Sequence, residues 1–297
     1  MIKSLIQIFL IILILFSCKK KEDVSYAKII EDFPTEKAVL DSKDVPEYLK
    51  SVVLNISKIN GYENGVLAKG QIKAANFENF KELKSLASTK DLVLLTKNKN
   101  NVVALYSAIA LSEANYSDIH KVFLDFLKNR KSKVETQNGC VISKEIIAVA
   151  FYKNYLFSEK KEEKVLRKLD SLVLYNTSEE ALLGYAFENR LYPNHFKKQI
   201  EKLAFVDKNK DAIIYLSNWH IADYNQKLQL EFKNLLNKDS LNYYQFETYI
   251  KELANFRNPT NKEFILQKLK EDTIWKSDEN EMFWYLMRHG INTDDLK

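Results

Sequence analysis

The chain has 297 residues, enough for one or two domains with a sizeable core. Six Gly and four Pro are too few for the turns of an all-β fold or a doubly wound sheet, while 17 Phe and 16 Tyr supply bulk for a helical core. A net charge of +5, with Lys and Glu interleaved as in Glu159-Lys160-Lys161-Glu162-Glu163-Lys164, describes solvated helix faces and argues against nucleic acid as a partner.

Residues 1–17 read as a signal peptide. Lys3 is a minimal positive start, and Leu5 to Phe16 is apolar except for Gln7. As a helix that run spans about 18 Å, short of the ~30 Å of a bilayer core. Leu15-Phe16-Ser17-Cys18 then resembles the lipobox of bacterial lipoproteins, with Leu at −3, a small residue at −1 and Cys at +1. Phe16 is bulkier than that family's usual −2 residue. The resemblance implies that Cys18 becomes the first residue of the mature chain. Its sulfur would carry a diacylglycerol and its amino group a further acyl chain such as palmitate, giving stable anchoring. Loss of Lys3 with the leader leaves a mature charge of +4.

Lys19-Lys20-Lys21-Glu22-Asp23 follows directly. Lys19 at +2 is unlike the inner-membrane retention signal of some lipoproteins. The run resembles the export tag of surface-displayed ones, and reads equally as a solvated tether. The implied location is the outer membrane, on its periplasmic or exposed side.

Residues 18–46 are read as lipid attachment and tether, with Pro34 and Pro46 within them, and residues 47–297 as one helical-repeat domain. Glu47 to Asn60 makes a first helix, with Tyr48, Val52, Val53 and Ile56 on one face. Gly61, Gly65 and Gly70 mark a loop. Helical pairs take over from Asn76. Residues 130–142 break their spacing and read as an insertion on one edge. Further pairs run over Glu159–Arg190, Pro193–Tyr224, Gln226–Phe256 and Pro259–His289. The last carries Trp275, Phe283 and Trp284 as an end cap.

Residues 178–204 hold the clearest pair. Leu182, Leu183, Ala186, Phe187 and Leu191 share one face of the first helix, with Thr177 and Glu180 in a capping-box pattern. Pro193 suits the first turn of the second helix, where Phe196, Ile200, Leu203 and Ala204 follow i, i+4, i+7, i+8. That template recurs at Ile119, Phe123, Phe126, Leu127, at Val165, Leu169, Leu172, Val173, and at Leu228, Phe232, Leu235, Leu236. Copies start 46, 31 and 32 residues apart. Two helices repeated at such a period indicate an all-α fold, an α-solenoid of stacked antiparallel pairs, because one pair cannot bury both faces alone. The segment from Lys90 to Ala114 resembles a HEAT repeat, a pattern-level similarity covering Asn76 to Ile291. The Pro and Arg favoured in that family are mostly missing, so a tetratricopeptide-like array or an irregular helical bundle stays open.

Catalytic signatures do not emerge. His120, His195, His220 and His289 stand in no metal-ligand spacing. His220 and Asp223, three apart on a helix, lack a third ligand. Asp207-Lys208-Asn209-Lys210-Asp211 opens like a calcium loop, but Ala212 and Asn218 replace its required Gly and Glu, so it reads as an interhelix turn with Asp211 as a cap. Cys140 is the one thiol besides Cys18 and reads as a free Cys. No metal or cofactor is expected. The function expected is a non-catalytic scaffold for a protein or peptide, with Tyr152, Asn189, Trp219, His220 and Tyr224 as binding residues. An envelope lipoprotein binding sugars or peptides is the alternative, and an envelope hydrolase the third reading.

Overall fold

The structure, a computed structural model, describes residues 38–65, 74–139, 141–188, 190–238, 240–272, 274–275 and 279–292. The leader, Cys18, Asn189 and Cys140 lie outside the described residues. Most of the described chain is helical, and no described helix is long and apolar enough to cross a membrane. It divides into two compact units, one holding residues up to Leu111 with 132–147, the other 112–131 with 148–297.

In the first unit, a 3-10 turn at Glu47–Leu49 runs into α1 (Lys50–Ile59), whose Val52, Val53 and Ile56 are buried as their spacing predicts, whereas Tyr48, expected on the same face, lies in the turn and is exposed. β1 (Gly61–Glu63), α2 (Ala75–Leu86), α3 (Thr89–Leu95) and α4 (Asn101–Glu113) follow. Ser88 and Asp91 cap α3 reciprocally. Asn100 organises the start of α4: its Oδ1 accepts from Val102 and Val103 N–H, and its Nδ2 donates to the Val39 carbonyl. Asn98 likewise donates to the Asp41 carbonyl at 2.9 Å, so residues 39–41 are already tied to the fold.

β2 (Lys133–Asn138) and β3 (Val141–Ile146) correct the all-α expectation. They form an antiparallel hairpin, and β1 pairs with β2 in parallel, Gly61 opposite Glu135. Residues 130–142 do interrupt the helical spacing, but as a strand pair. Asn138 faces Val141, and Gly139 follows Asn138 at φ 60°. Val134, Thr136 and Gln137 of β2 are buried, with side chains on both faces of the sheet, a pattern that helical templates overlook.

Tyr106 of α4 fastens this sheet. Its ring stacks on Phe80 at 4.8 Å and meets Tyr62 at 5.4 Å. Its hydroxyl accepts the Glu63 N–H at 2.9 Å and donates to the Glu63 carbonyl at 3.0 Å. The Glu63 carboxylate in turn accepts the N–H groups of Asn76 and Phe77 at the start of α2. Burial raises the Glu63 carboxyl above its ordinary value of 4.5, and those two N–H groups pull against it. A raised folded value means the native state holds the proton more tightly than the unfolded chain. The resulting stabilisation is full below the unfolded value and is lost as pH rises through the folded one. Urea unfolding at pH 4 and pH 7 checks this: Glu63→Gln should lose less stability between the two than the parent protein does.

The second unit holds α5 (Ile119–Asn129), α6 (Ile147–Phe157, joining from Ala148), α7 (Glu163–Asn176), α8 (Glu180–Phe187) and α9 (Lys197–Glu201). A π-helical stretch at Lys202–Val206 leads to α10 (Lys210–Leu236), α11 (Tyr243–Ala254), α12 (Pro259–Glu271) and α13 (Glu279–Arg288). Among consecutive helices, α7 packs on α8, α9 on α10, α10 on α11 and α11 on α12. Next-but-one contacts also form, α5 with α7, α7 with α9, α8 with α10 and α11 with α13.

The apolar template is buried throughout in α5, in the segment from Phe196 to Ala204, and in the second half of α10. In α7 the buried face is turned: Leu166, Leu169, Asp170, Val173 and Leu174 are inside, and Val165 and Leu172 are half-buried. Asp170 carries the reason, since its side chain is fully buried against Arg190. Two end signals need correction. α8 begins only at Glu180, with Thr177 accepting the Glu179 N–H rather than capping the helix. It ends at Phe187, so Leu191 lies past the apolar face and is 52% exposed. Asn258 caps α12 and Pro259 opens it. Trp275 is buried and donates to the Leu269 carbonyl, whereas Trp284 is exposed.

Candidate functional site

The second unit contains a buried polar network. Tyr152 of α6 is fully buried, and its hydroxyl donates to Asp170 at 2.6 Å. Arg190 Nη1 donates to both Asp170 oxygens at 3.0 Å. Its Nη2 reaches the Tyr152 hydroxyl at 2.5 Å and the Ala186 carbonyl at 2.9 Å. The Tyr192 hydroxyl donates to that same carbonyl, and the Tyr192 N–H donates to the Tyr215 hydroxyl at 2.9 Å. Arg167 lies 3.8 Å from Asp170 and over the Tyr192 ring. Burial raises the Tyr152 and Tyr192 hydroxyls, and the Asp170 charge adds to it, so both stay protonated donors. Burial also raises Asp170, against the opposing pull of Arg190 and Tyr152. Two buried guanidinium nitrogens, Arg190 Nε and Arg167 Nη1, have no hydrogen-bond partner. The arrangement locks helices together by charge-assisted hydrogen bonds.

A short chain of rings leads outward from this network. Tyr192 meets Tyr215 at 5.7 Å, and Tyr215 meets His220 at 6.0 Å. His220 marks a kink. It and Tyr224 have non-helical backbone angles, φ −139° and −127°, inside α10. No Pro or Gly occurs in Lys210–Leu236, so neither residue accounts for the bend. Tyr224 donates to the Glu201 carboxylate and packs on Phe205 of the π-helical stretch at 5.4 Å. Lys197 pairs with Asp223 at 3.0 Å and lies over the Tyr224 ring. Lys227 lies over Phe205. Trp219, 47% exposed, directly precedes His220 on the same helix.

The surface therefore offers aromatic faces bordered by both signs of charge. Its sidedness comes from a kink and a π-helical stretch, local departures that recur at functional sites. Asp223 is held low by Lys197, its hydrogen bond first, and so remains charged at neutral pH.

Of the residues expected to bind, Trp219, His220 and Tyr224 lie within six positions of one another on α10, with the kink angles at His220 and Tyr224. Tyr152 belongs to the interior, linked to them through Tyr192 and Tyr215. Asn189 lies outside the described residues, between Glu188 and Arg190. Lys197, Glu201, Phe205, Asp170 and Arg190 were not foreseen. Asp170 did leave a signal, an acidic residue inside an apolar stripe. Asp211 is not the cap expected: Asn209 accepts the Ala212 N–H at the start of α10. Asp207 pairs with Lys202 instead of joining a calcium loop. Among the described residues no group of three or more His, Cys, Asp or Glu is placed to hold a metal ion. The chain matches no protein-family model, no curated protein and no solved structure.

Proposed function

We propose that this chain is a lipid-anchored protein of the cell envelope, held at the outer membrane through Cys18, that binds a protein or peptide partner without catalysing a reaction. The kink surface carries the binding part of this reading. Trp219, Tyr224 and Phe205 give it aromatic area, and the Lys197–Asp223 pair with Lys227 gives it a polar border. Such a mixture suits a polypeptide, whose backbone and side chains present both apolar and polar groups. The repeats would form a HEAT-like α-solenoid, supported by packing between several consecutive helices and by next-but-one contacts in the second unit. The anchor rests on Leu15, Ser17 and Cys18.

The intact protein, purified from its native envelope beside the double variant Trp219→Ala/Tyr224→Ala, tests the reading. A stoichiometric protein or peptide recovered with the parent and lost with the variant supports it. Equal recovery with both, or turnover of an envelope substrate by the purified protein, overturns it. Mass spectrometry of the mature amino terminus should find an acylated Cys18. Trp219→Ala alone should shift unfolding by no more than about 0.5 kcal/mol, as exposed positions do, so binding lost in that single variant would not reflect lost folding.

A further inference from the structure

A cavity of about 310 Å³ lies where the end of α11, the start of α12 and the segment after α13 meet. That volume is at the small end for ligand pockets and suits one residue of a chain better than a cofactor. Its apolar wall is Ala254, Ile265 and Ile291, all buried. Arg257 and Lys262, both exposed, also line it, and neither has an acidic partner among the described residues. The amino end of α12 adds a partial positive charge. Its N–H groups are taken, however: Thr260 donates to Asn258 Oδ1, and Asn261 and Lys262 donate to the Asn258 carbonyl. An anion here would therefore be met by side chains.

One buried acceptor complements those cations. Asn261 is 1% exposed and lines the cavity; its Nδ2 donates to Gln229 at 2.9 Å while its Oδ1 has no hydrogen-bond partner. A buried amide oxygen left without a donor is uncommon in a native fold. His289 Nδ1 lies 2.9 Å from the Tyr285 carbonyl. A carbonyl only accepts, so Nδ1 bears the hydrogen of that bond. The site thus asks for a negative charge, a short apolar group and an N–H in one ligand.

We propose that this cavity holds the carboxyl terminus of a polypeptide. The terminal carboxylate sits on Arg257 and Lys262, and a short aliphatic last side chain on Ala254, Ile265 and Ile291. The last N–H supplies the donor that Asn261 Oδ1 lacks. This site shares no residue with the kink surface, so either can fail without the other.

The probe is acetyl-Gly-Gly-Val with a free carboxylate, titrated into the full chain by calorimetry. Its carboxamide form should bind at least tenfold more weakly. Arg257→Gln/Lys262→Gln, at two exposed positions, should cost at least tenfold with an unchanged circular dichroism spectrum. N-acetylvaline should bind at least fivefold more tightly than 3-methylbutanoate, which lacks the N–H. Equal binding of peptide acid and amide, parent-like binding by the double variant, or no binding at millimolar peptide overturns the proposal. N-acetylvaline binding tenfold more tightly than the peptide would assign the site to a small acid and also overturn it.

Discussion

Arg190→Met should lower the unfolding free energy by about 3–5 kcal/mol, the usual cost of leaving a buried charge without its partner. Asp170 is fully buried, and in this variant only the Tyr152 hydroxyl and the more distant Arg167 remain to face it. The carboxyl would then fold more readily with a proton on it. Its folded value would stand further above the unfolded one, so the penalty should shrink as pH falls from 8 towards 5. Urea titrations of parent and variant at both pH values measure this. Adding Asp170→Asn should recover a substantial part of the loss, because the stranded charge is gone. A pH-independent penalty, or no recovery in the double variant, would show that the pair contributes packing alone.

Tyr106→Ala should cost about 4 kcal/mol or more, through two mechanisms that a milder variant separates. Removing a fully buried ring opposite Phe80 and Tyr62 leaves a cavity, worth about 3–5 kcal/mol for a large aromatic. It also strands the N–H and carbonyl of Glu63, both now satisfied by the Tyr106 hydroxyl. Tyr106→Phe keeps the ring and loses only those bonds, so about 1–3 kcal/mol is expected. Chemical unfolding gives the totals. Hydrogen exchange at the Glu63 and Asn76 amides should quicken in both variants, because Glu63 also supports the start of α2.

Local pattern carried much of the helical reading. Ile119, Phe123, Phe126 and Leu127 lie on one side of any helix they form, and all four are buried. Asn258-Pro259 contains within two residues both the cap and the fixed backbone angle that start α12. The same approach missed the start of α8, where Thr177 spends its hydroxyl on a neighbouring N–H before the helix begins. It missed β1 because that strand has three residues, too few for an alternation to register, and pairs with a segment more than 70 positions later.

By itself the sequence determined that this chain is mainly helical, and which faces of several helices turn inward. Helix periodicity spans a few residues, and burial of an apolar stripe follows from it. Only the tertiary structure decided that Gly61–Glu63 joins a sheet, that Asp170 faces Arg190, that α10 bends at His220 and Tyr224, and that Asn261 meets Arg257 and Ile291 around one cavity. Each of these is a meeting of groups distant along the chain or a backbone angle imposed by such a meeting. Hydrogen bonds and ion pairs form between whichever groups the fold brings within about 3 Å, and a one-dimensional pattern holds no record of that distance.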